Sequence, residues 1–312
     1  MHAPGEELYD CAVIGAGPAG LSAALYMGRM RRSVVVVDDN EGRSNWHQTN
    51  RNYLGFPDGI HARALREVGR EQVERYNVRF LDACVNDASV EGEGPERRFY
   101  LDTSAGKVVA RTLIIATGVS DEFPDFEGCD DCIGKSLFWC IICDGYEAIG
   151  KKIVVLGSGD RATALALQLL VFTDRVSLVP WKKPLRAGPD IVASLREHGV
   201  TVYDSQVRSF NCAPHGQLAS LTLEDGTEVD LDSLFVTQWI KPNTQLAQKL
   251  DIRIDDHGFI VVDVEGSTTV DGAYAAGDVT KLFNHQISSA VHEGGMAAAA
   301  ANYYLYEDWQ KE

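Results

Sequence analysis

Cys140 and Cys143, in the run Cys140-Ile141-Ile142-Cys143, have the residue type and spacing most suited to chemistry. Thiols at this spacing close a small disulfide ring and open it again by exchange. Asp144 follows directly. A carboxyl beside the second sulfur can shuttle the proton that each exchange step gains or loses. A second pair, Cys129 and Cys132, lies just upstream, and the four together spell C-x2-C-x7-C-x2-C. That pattern also describes a four-thiolate zinc site. The seven-residue gap is short for a zinc knuckle, however, and Asp130 and Asp131 fall between the ligands. The redox reading is preferred and no metal is expected. Cys129 and Cys132 then read as surface-loop cysteines, and Cys11, Cys84 and Cys212, in or beside strand-like segments, as small core residues.

Three glycine-punctuated segments must position such a pair. In the first, the apolar run 11–14 leads into Gly15-Ala16-Gly17-Pro18-Ala19-Gly20, a helical stretch to about Met30, and the strand Val34 to Val37. Asp38 ends that strand, 18 residues after Gly20. This is the strand–turn–helix–strand plan of a dinucleotide fold. Gly15 makes the tight turn, Gly17 lets a pyrophosphate approach the backbone, and Gly20 lets helix and strand pack closely. The helix N-terminus offers N–H groups to the phosphates, and Asp38 can accept from ribose hydroxyls.

In the second segment, Ile153 to Leu156 leads into Gly157-Ser158-Gly159-Asp160-Arg161-Ala162, a helix to about Phe172, and the strand Val176 to Val179. No acid ends that strand, which disfavours NAD. Lys182, Lys183 or Arg186 could meet a 2′-phosphate, but Pro180 and Trp181 occupy the turn itself. The third segment is Ala275-Ala276-Gly277-Asp278, followed by an alanine-rich helix from about Ile287 to Tyr304. Two such units roughly 140 residues apart predict an α/β protein of two doubly wound Rossmann-like lobes.

Composition limits the partners. At 312 residues, about two domains are expected. The chain carries 29 Lys and Arg against 45 Asp and Glu, a net charge of −16, which would repel nucleic acid and anionic membranes. No apolar run reaches the ~18 residues of a membrane helix. The polar, acidic N-terminus shows no signal-peptide core, so a cytoplasmic location is expected. An acidic electron donor of ferredoxin type would have to dock on Lys182, Lys183 and Arg186 or on the cluster Arg29 to Arg32. The aromatic tail of Tyr303, Tyr304, Tyr306 and Trp309 packs on a partner subunit or on its own lobe, and a homodimer is expected.

The ordered motifs resemble the low-molecular-weight thioredoxin reductases over nearly the whole chain. They run from Gly15–Gly20 through 52–57 (Asn-Tyr-Leu-Gly-Phe-Pro), Ala116-Thr117-Gly118, 140–145 and 157–162 to Pro242-Asn243-Thr244 and Ala275–Asp278. The resemblance implies a flavoprotein with two dinucleotide-binding lobes. Its FAD lobe would be built from residues 1–121 and 248–312, with a pyridine-nucleotide-like lobe, 122–247, inserted between them and carrying the cysteine pair. It implies FAD held by Gly15, Gly17, Pro18, Ala19, Gly20, Asp38, Ala116, Thr117, Gly118, Gly277 and Asp278. Asn52, His285, Gln286 and Ile287 would lie near the flavin ring. Cys143 would face the flavin, Cys140 would attack a thioredoxin-like or small disulfide substrate, and Asp144 would be the acid/base.

Two departures stand out. Pro180, Trp181 and Lys182 replace the family's His-Arg-Arg run, and Trp239 replaces a glycine before the Pro-Asn-Thr motif. The pattern resembles the pyridine-nucleotide-independent, deeply rooted or diflavin-linked branches. There, Gly157, Gly159, Asp160, Arg161, Trp181, Lys182 and Trp239 would line a vacated nucleotide site or a second FAD site. Ordinary NADPH-dependent reduction and a small-molecule dithiol oxidase using O₂ stand as alternatives. Asp144, where the oxidases carry His, favours the reductase, and the electron donor is left open.

Overall fold

The run Val34-Val35-Val36-Val37 is β-branched throughout and buried on both faces, as a central parallel strand must be. A computed structural model describes residues 7–46, 49–237, 240–281 and 283–311. Among the residues expected at the second nucleotide site, Trp239 lies outside this set.

The chain forms two lobes. The first takes the described residues of Met1–Asn45, His61–Ser120 and Ile240–Glu312, and the second those of Trp46–Ile60 and Asp121–Trp239. Both are Rossmann-like, so the α/β class and the doubly wound lobes expected from sequence are found. In the first lobe, parallel strands run in the order Arg79–Asp82, Val34–Asp38, Leu8–Ile14 and Gly106–Ile115, with Ala273–Ala275 also pairing Gly106–Ile115. Arg98–Thr103 and Val85–Glu91 extend that sheet antiparallel. Alternate residues feed two cores. Cys11, Val13, Val34 and Val36 meet the helices Pro18–Arg29 and Ile287–Tyr304, while Ala12, Ile14, Val35 and Val37 face the other side. Small residues let those helices approach closely: a Cβ at Gly294 would collide with the Ala19 carbonyl.

The second lobe repeats the plan. Its parallel sheet runs Leu137–Phe138, Ser233–Val236, Ile153–Leu156, Val176–Val179 and Thr201–Val202. Ile153, Val155 and Leu178 pack with the helix Asp160–Leu169, and Val154, Leu156 and Val179 pack with the antiparallel strands Val207–Ala213 and Gln217–Leu223. The chain leaves the first lobe along Val119–Asp121 and returns along Ile240–Pro242, and these two short strands pair. Among the described residues no helix is long and apolar enough to cross a membrane.

Candidate functional site

Cys140 and Cys143 are joined as a disulfide. They follow the buried strand Leu137–Phe138, whose register against Leu234 and Phe235 fixes where the next turn begins. Cys140 is the N-cap of a single helical turn, Ile141–Asp144, and its sulfur accepts from the Cys143 N–H at 3.1 Å. An N–H aimed at a sulfur favours its thiolate once the bond opens. Gly145 packs against the Phe172 ring, so the turn is seated firmly. Asp144 is buried at 5% exposure directly after Cys143. The other side of the turn is open: Ile142 and Tyr146 are 68% and 76% exposed.

Asn52 is placed beside this same turn, its amide donating to the Ile142 carbonyl at 3.4 Å, and Arg51 pairs with Glu147 at 3.6 Å. Cys140 and Cys143 are bonded to each other, the arrangement a redox pair takes in its oxidised form. Cys129 and Cys132 are buried in the apolar core of the second lobe rather than in a surface loop. Cys84 and Cys212 are exposed rather than core residues, and only Cys11 among the three strand cysteines is buried. For Cys212 alternation explains this, since a strand cysteine has an equal claim to either face, while Cys84 lies in the loop between the strands Arg79–Asp82 and Val85–Glu91.

In the first lobe, the glycine turn has a mostly buried clasp behind it. Gly15, at φ 101°, closes against the Ala116 carbonyl, where any Cβ would collide. The Ala16 N–H donates to Asp38 Oδ1 at 2.8 Å. Arg66 reaches in from the helix Ala62–Glu74 and donates to Asp38 Oδ2 at 2.8 Å, to Asn45 Oδ1 at 2.8 Å and to the Ala16 carbonyl at 3.3 Å. At Gly17 a Cβ would meet nothing within 4 Å, and the helix Pro18–Arg29 that starts there has no side-chain cap and no acid in its first turn. That open backbone at an uncapped helix N-terminus fits the pyrophosphate of FAD.

Two further clasps hold the Ala116-Thr117-Gly118 turn and the C-terminal glycine motif. Asn243 accepts from the Thr117 and Ser120 hydroxyls, through its carbonyl at 2.7 Å and its Oδ1 at 2.9 Å, and donates from its amide to the Thr117 carbonyl at 2.9 Å. This fixes the Ala116-Thr117-Gly118 turn. Asp278 pairs with Arg43 at 3.0 Å, and the same Arg43 nitrogen donates to His285 Nδ1 at 3.1 Å. His285 Nε2–H then donates to the Lys281 carbonyl at 2.7 Å. Burial pushes the His285 pKa below its ordinary value, which keeps the ring neutral and in that tautomer. Lys281 pairs with Glu293, which also accepts from the Gly277 N–H at 2.9 Å. Gln286 and Ile287 open the helix Ile287–Tyr304, whose first turn carries no acid. Arg43, Arg66, Asn243 and Glu293 were not among the residues predicted from sequence. Each reaches its partner from elsewhere in the chain, and only Asn243 belongs to a sequence motif, Pro242-Asn243-Thr244, which does not itself point to Thr117.

The second glycine turn sits in the same register as the first. Gly15 N–H donates to the Val37 carbonyl at 2.8 Å, and Gly157 N–H to the Val179 carbonyl at 3.1 Å. Pro180 therefore stands where Asp38 does, and Ser158 where Ala16 does. Ser158 Oγ accepts from the Trp181 N–H at 2.9 Å and faces the Trp181 and Lys183 carbonyls at 2.9 and 2.6 Å. The loop after the strand is thus folded back onto the turn. Trp181 is half-buried against the apolar core of this lobe. The Lys182 ammonium lies over the Trp181 ring and pairs with Glu122 at 3.3 Å. Asp160 and Arg161 are exposed at the helix start, and a Cβ at Gly159 would meet nothing within 4 Å.

The sequence profile of the pyridine nucleotide-disulphide oxidoreductases matches residues 9–301. Among curated proteins, the chain is 29% identical to the NADPH-dependent thioredoxin reductase 3 of Arabidopsis thaliana, over 96% of this chain but 59% of that longer protein. It is 29% identical to the thioredoxin reductase of Listeria monocytogenes, covering 97% of this chain and 95% of the relative. Among solved structures, HlmI superposes with a TM-score of 0.89 at 32% identity, covering 98% of this chain and 94% of that one.

Proposed function

The chain belongs to the pyridine nucleotide-disulphide oxidoreductase family, and from that premise we propose a flavin-dependent disulfide oxidoreductase of thioredoxin-reductase type whose redox group is Cys140–Cys143. One observation carries this reading: the two cysteines are bonded on an exposed turn, with an N–H aimed at Cys140 and the buried Asp144 alongside. FAD is the cofactor of the first lobe. Gly15, Gly17 and the start of the helix Pro18–Arg29 hold its pyrophosphate, Asp38 the adenosine ribose, and Thr117, Gly118, Gly277 and Asp278 border the rest. Bound there, the flavin supplies two-electron oxidation and reduction.

The protein's own steps are thiol exchange. The Cys140 thiolate attacks one sulfur of the substrate disulfide and expels the other as a thiolate. Cys143 then attacks the Cys140 sulfur, releasing the second substrate thiol and restoring the Cys140–Cys143 bond. Asp144 takes the proton from Cys143 as it attacks and returns it to the leaving sulfur. Ile142 and Tyr146 offer an apolar rim that suits a thioredoxin-like protein or a small apolar disulfide. The working form is a cytoplasmic homodimer.

On the nicotinamide cofactor, the proposed enzyme parts from the NADPH-dependent relative of Arabidopsis thaliana. Pro180 rather than an acid follows the strand Val176–Val179, and of the cations that follow, Lys182 is engaged by Trp181 and Glu122. These features support an enzyme that does not use NADPH, and the aromatic Trp181 is compatible with a second FAD in that lobe.

Replacing Cys140 or Cys143 by Ser lowers disulfide turnover by about 10³-fold or more, with flavin content unchanged. Turnover that survives both changes removes the cysteine assignment. Anaerobic addition of NADPH leaves the flavin absorbance intact, whereas rapid bleaching identifies an ordinary NADPH-dependent reductase. A flavin-to-protein ratio near two identifies the diflavin form, and peroxide release with a dithiol identifies the oxidase.

A further inference from the structure

Three cysteines of the second lobe take no part in the chemistry above, and they are gathered in one place. Cys129 and Cys132 sit on one helical turn, Cys129–Cys132, buried among Leu218, Leu221 and Leu231. Cys212 lies on the strand Val207–Ala213 and is exposed. Cys132 packs in the same core cluster as Leu218, the cross-strand partner of Cys212. Cys212 also donates to the Glu127 carbonyl at 3.7 Å, just before the same turn.

The backbone enforces this proximity. Cys212 lies opposite Leu218 in the antiparallel pair. The Ser136 hydroxyl, four residues after Cys132, donates to the Gly216 carbonyl and accepts from the Leu218 N–H, both at 3.0 Å. The hairpin that carries Cys212 is therefore tied to the segment that carries Cys132. A Cβ at Gly216 would collide with the Asp131 carbonyl, so the two backbones touch.

We propose that Cys132 and Cys212 form a second dithiol, separate from Cys140–Cys143, which low-molecular-weight disulfides convert to a cross-link between that helical turn and the hairpin. Cys212 is the entry point because it alone of the three is exposed. Its thiolate attacks the small disulfide, forms a mixed disulfide and expels one small thiol. The Cys132 thiol attacks the Cys212 sulfur and passes its proton to the departing small thiolate, forming Cys132–Cys212 and releasing the second small thiol. One small disulfide is reduced to two thiols while two protein thiols become one disulfide. Burial pushes the Cys132 thiol up to about 11 and Cys129 to about 12, so neither competes with Cys212 for the first attack.

The test uses the full-length protein as purified. It is incubated with excess glutathione disulfide, its remaining thiols are blocked with N-ethylmaleimide, and it is digested with trypsin without reduction. Cys129 and Cys132 fall in peptide 112–135, Cys140 and Cys143 in 136–151, and Cys212 in 209–249, so the two disulfides are read separately. The expected product joins 112–135 to 209–249, carries one maleimide on Cys129, and disappears on treatment with dithiothreitol. It persists in Cys129→Ser and is lost in Cys132→Ser and Cys212→Ala. Cys212→Ala changes an exposed strand position, and its 112–135 peptide should carry two maleimides. A glutathione adduct on 209–249 that never proceeds to the linked peptide overturns the proposal. So do a link that survives Cys132→Ser and a bond between Cys129 and Cys132 instead.

Discussion

At the end of the first lobe's second strand, a side chain reaches the backbone of the glycine turn: Asp38 accepts from the Ala16 N–H. At the same register in the second lobe the tie is inverted. Ser158, on the turn, reaches the backbone at the strand end through Trp181 and Lys183. Both arrangements hold turn and strand together. Only the first leaves a carboxylate at the strand end, backed by Arg66. The second spends its side chain on closing the loop, with Pro180 in the acid's position. Two turns built on one backbone plan therefore differ in which partner supplies the polar side chain that closes them.

Arg66 is the sharpest place to break this contrast. Its side chain and that of Asp38 are each 12% exposed. Replacing Arg66 by Met leaves Asp38 without its counter-charge and costs about 3 kcal/mol in chemical denaturation, with weaker FAD retention. A variant as stable as the parent shows that the clasp does not hold the first turn. A smaller effect comes from the paired changes Gly17→Ala and Gly159→Ala. Both positions have ordinary backbone and open space, so each changes stability by less than about 0.5 kcal/mol. Gly17→Ala weakens FAD binding by about tenfold or more, measured by flavin release on dilution, whereas Gly159→Ala does not. Equal losses at both would mean that the two turns are not distinguished as described.

The smallest effect concerns pH. His285 is held neutral by burial, so its folded pKa lies below the ordinary 6.5, while the unfolded chain protonates near that value. The unfolded state binds more protons in this window. The contribution is therefore complete above about pH 6.5 and declines as pH falls toward the lowered value. The Asp278 carboxylate and the hydrogen bond to the Lys281 carbonyl work against this shift, while the Arg43 and Lys281 charges reinforce it. His285→Gln should flatten the acid side of the stability profile between about pH 6.5 and 5. An unchanged slope in thermal melts would show that the ring does not titrate with folding.

Much of the architecture was legible because strand–glycine–helix signals are local. Val34 to Val37, Ile153 to Leu156 and Val176 to Val179 all form strands as predicted. The helix Asp160–Leu169 begins three residues earlier than its predicted start at Thr163, because its first turn opens at Gly159. The clasps were not legible. Arg66 and Arg43 look like surface cations in sequence, and only the packing of distant segments turns them inward to Asp38 and Asp278. The burial of Cys129 and Cys132 was missed because Asp130 and Asp131 mark their segment as polar, while one helical turn sends those acids outward and the sulfurs in. The approach of Cys212 to Cys132 depends on hairpin register, which no spacing in the chain encodes.

The segment Trp46–Ile60 groups with the second lobe although the chain around it belongs to the first. Trp46 packs on Phe123, Phe123 on Trp139, and Asn52 reaches the cysteine turn. The second lobe is therefore not a cassette bounded by two cuts. A chimera that exchanges only residues 121–239 with a relative would keep a foreign strap against the new aromatic cluster. Recombination between such enzymes needs four crossovers to transplant a coherent redox module, two of them flanking fifteen residues near the N-terminus.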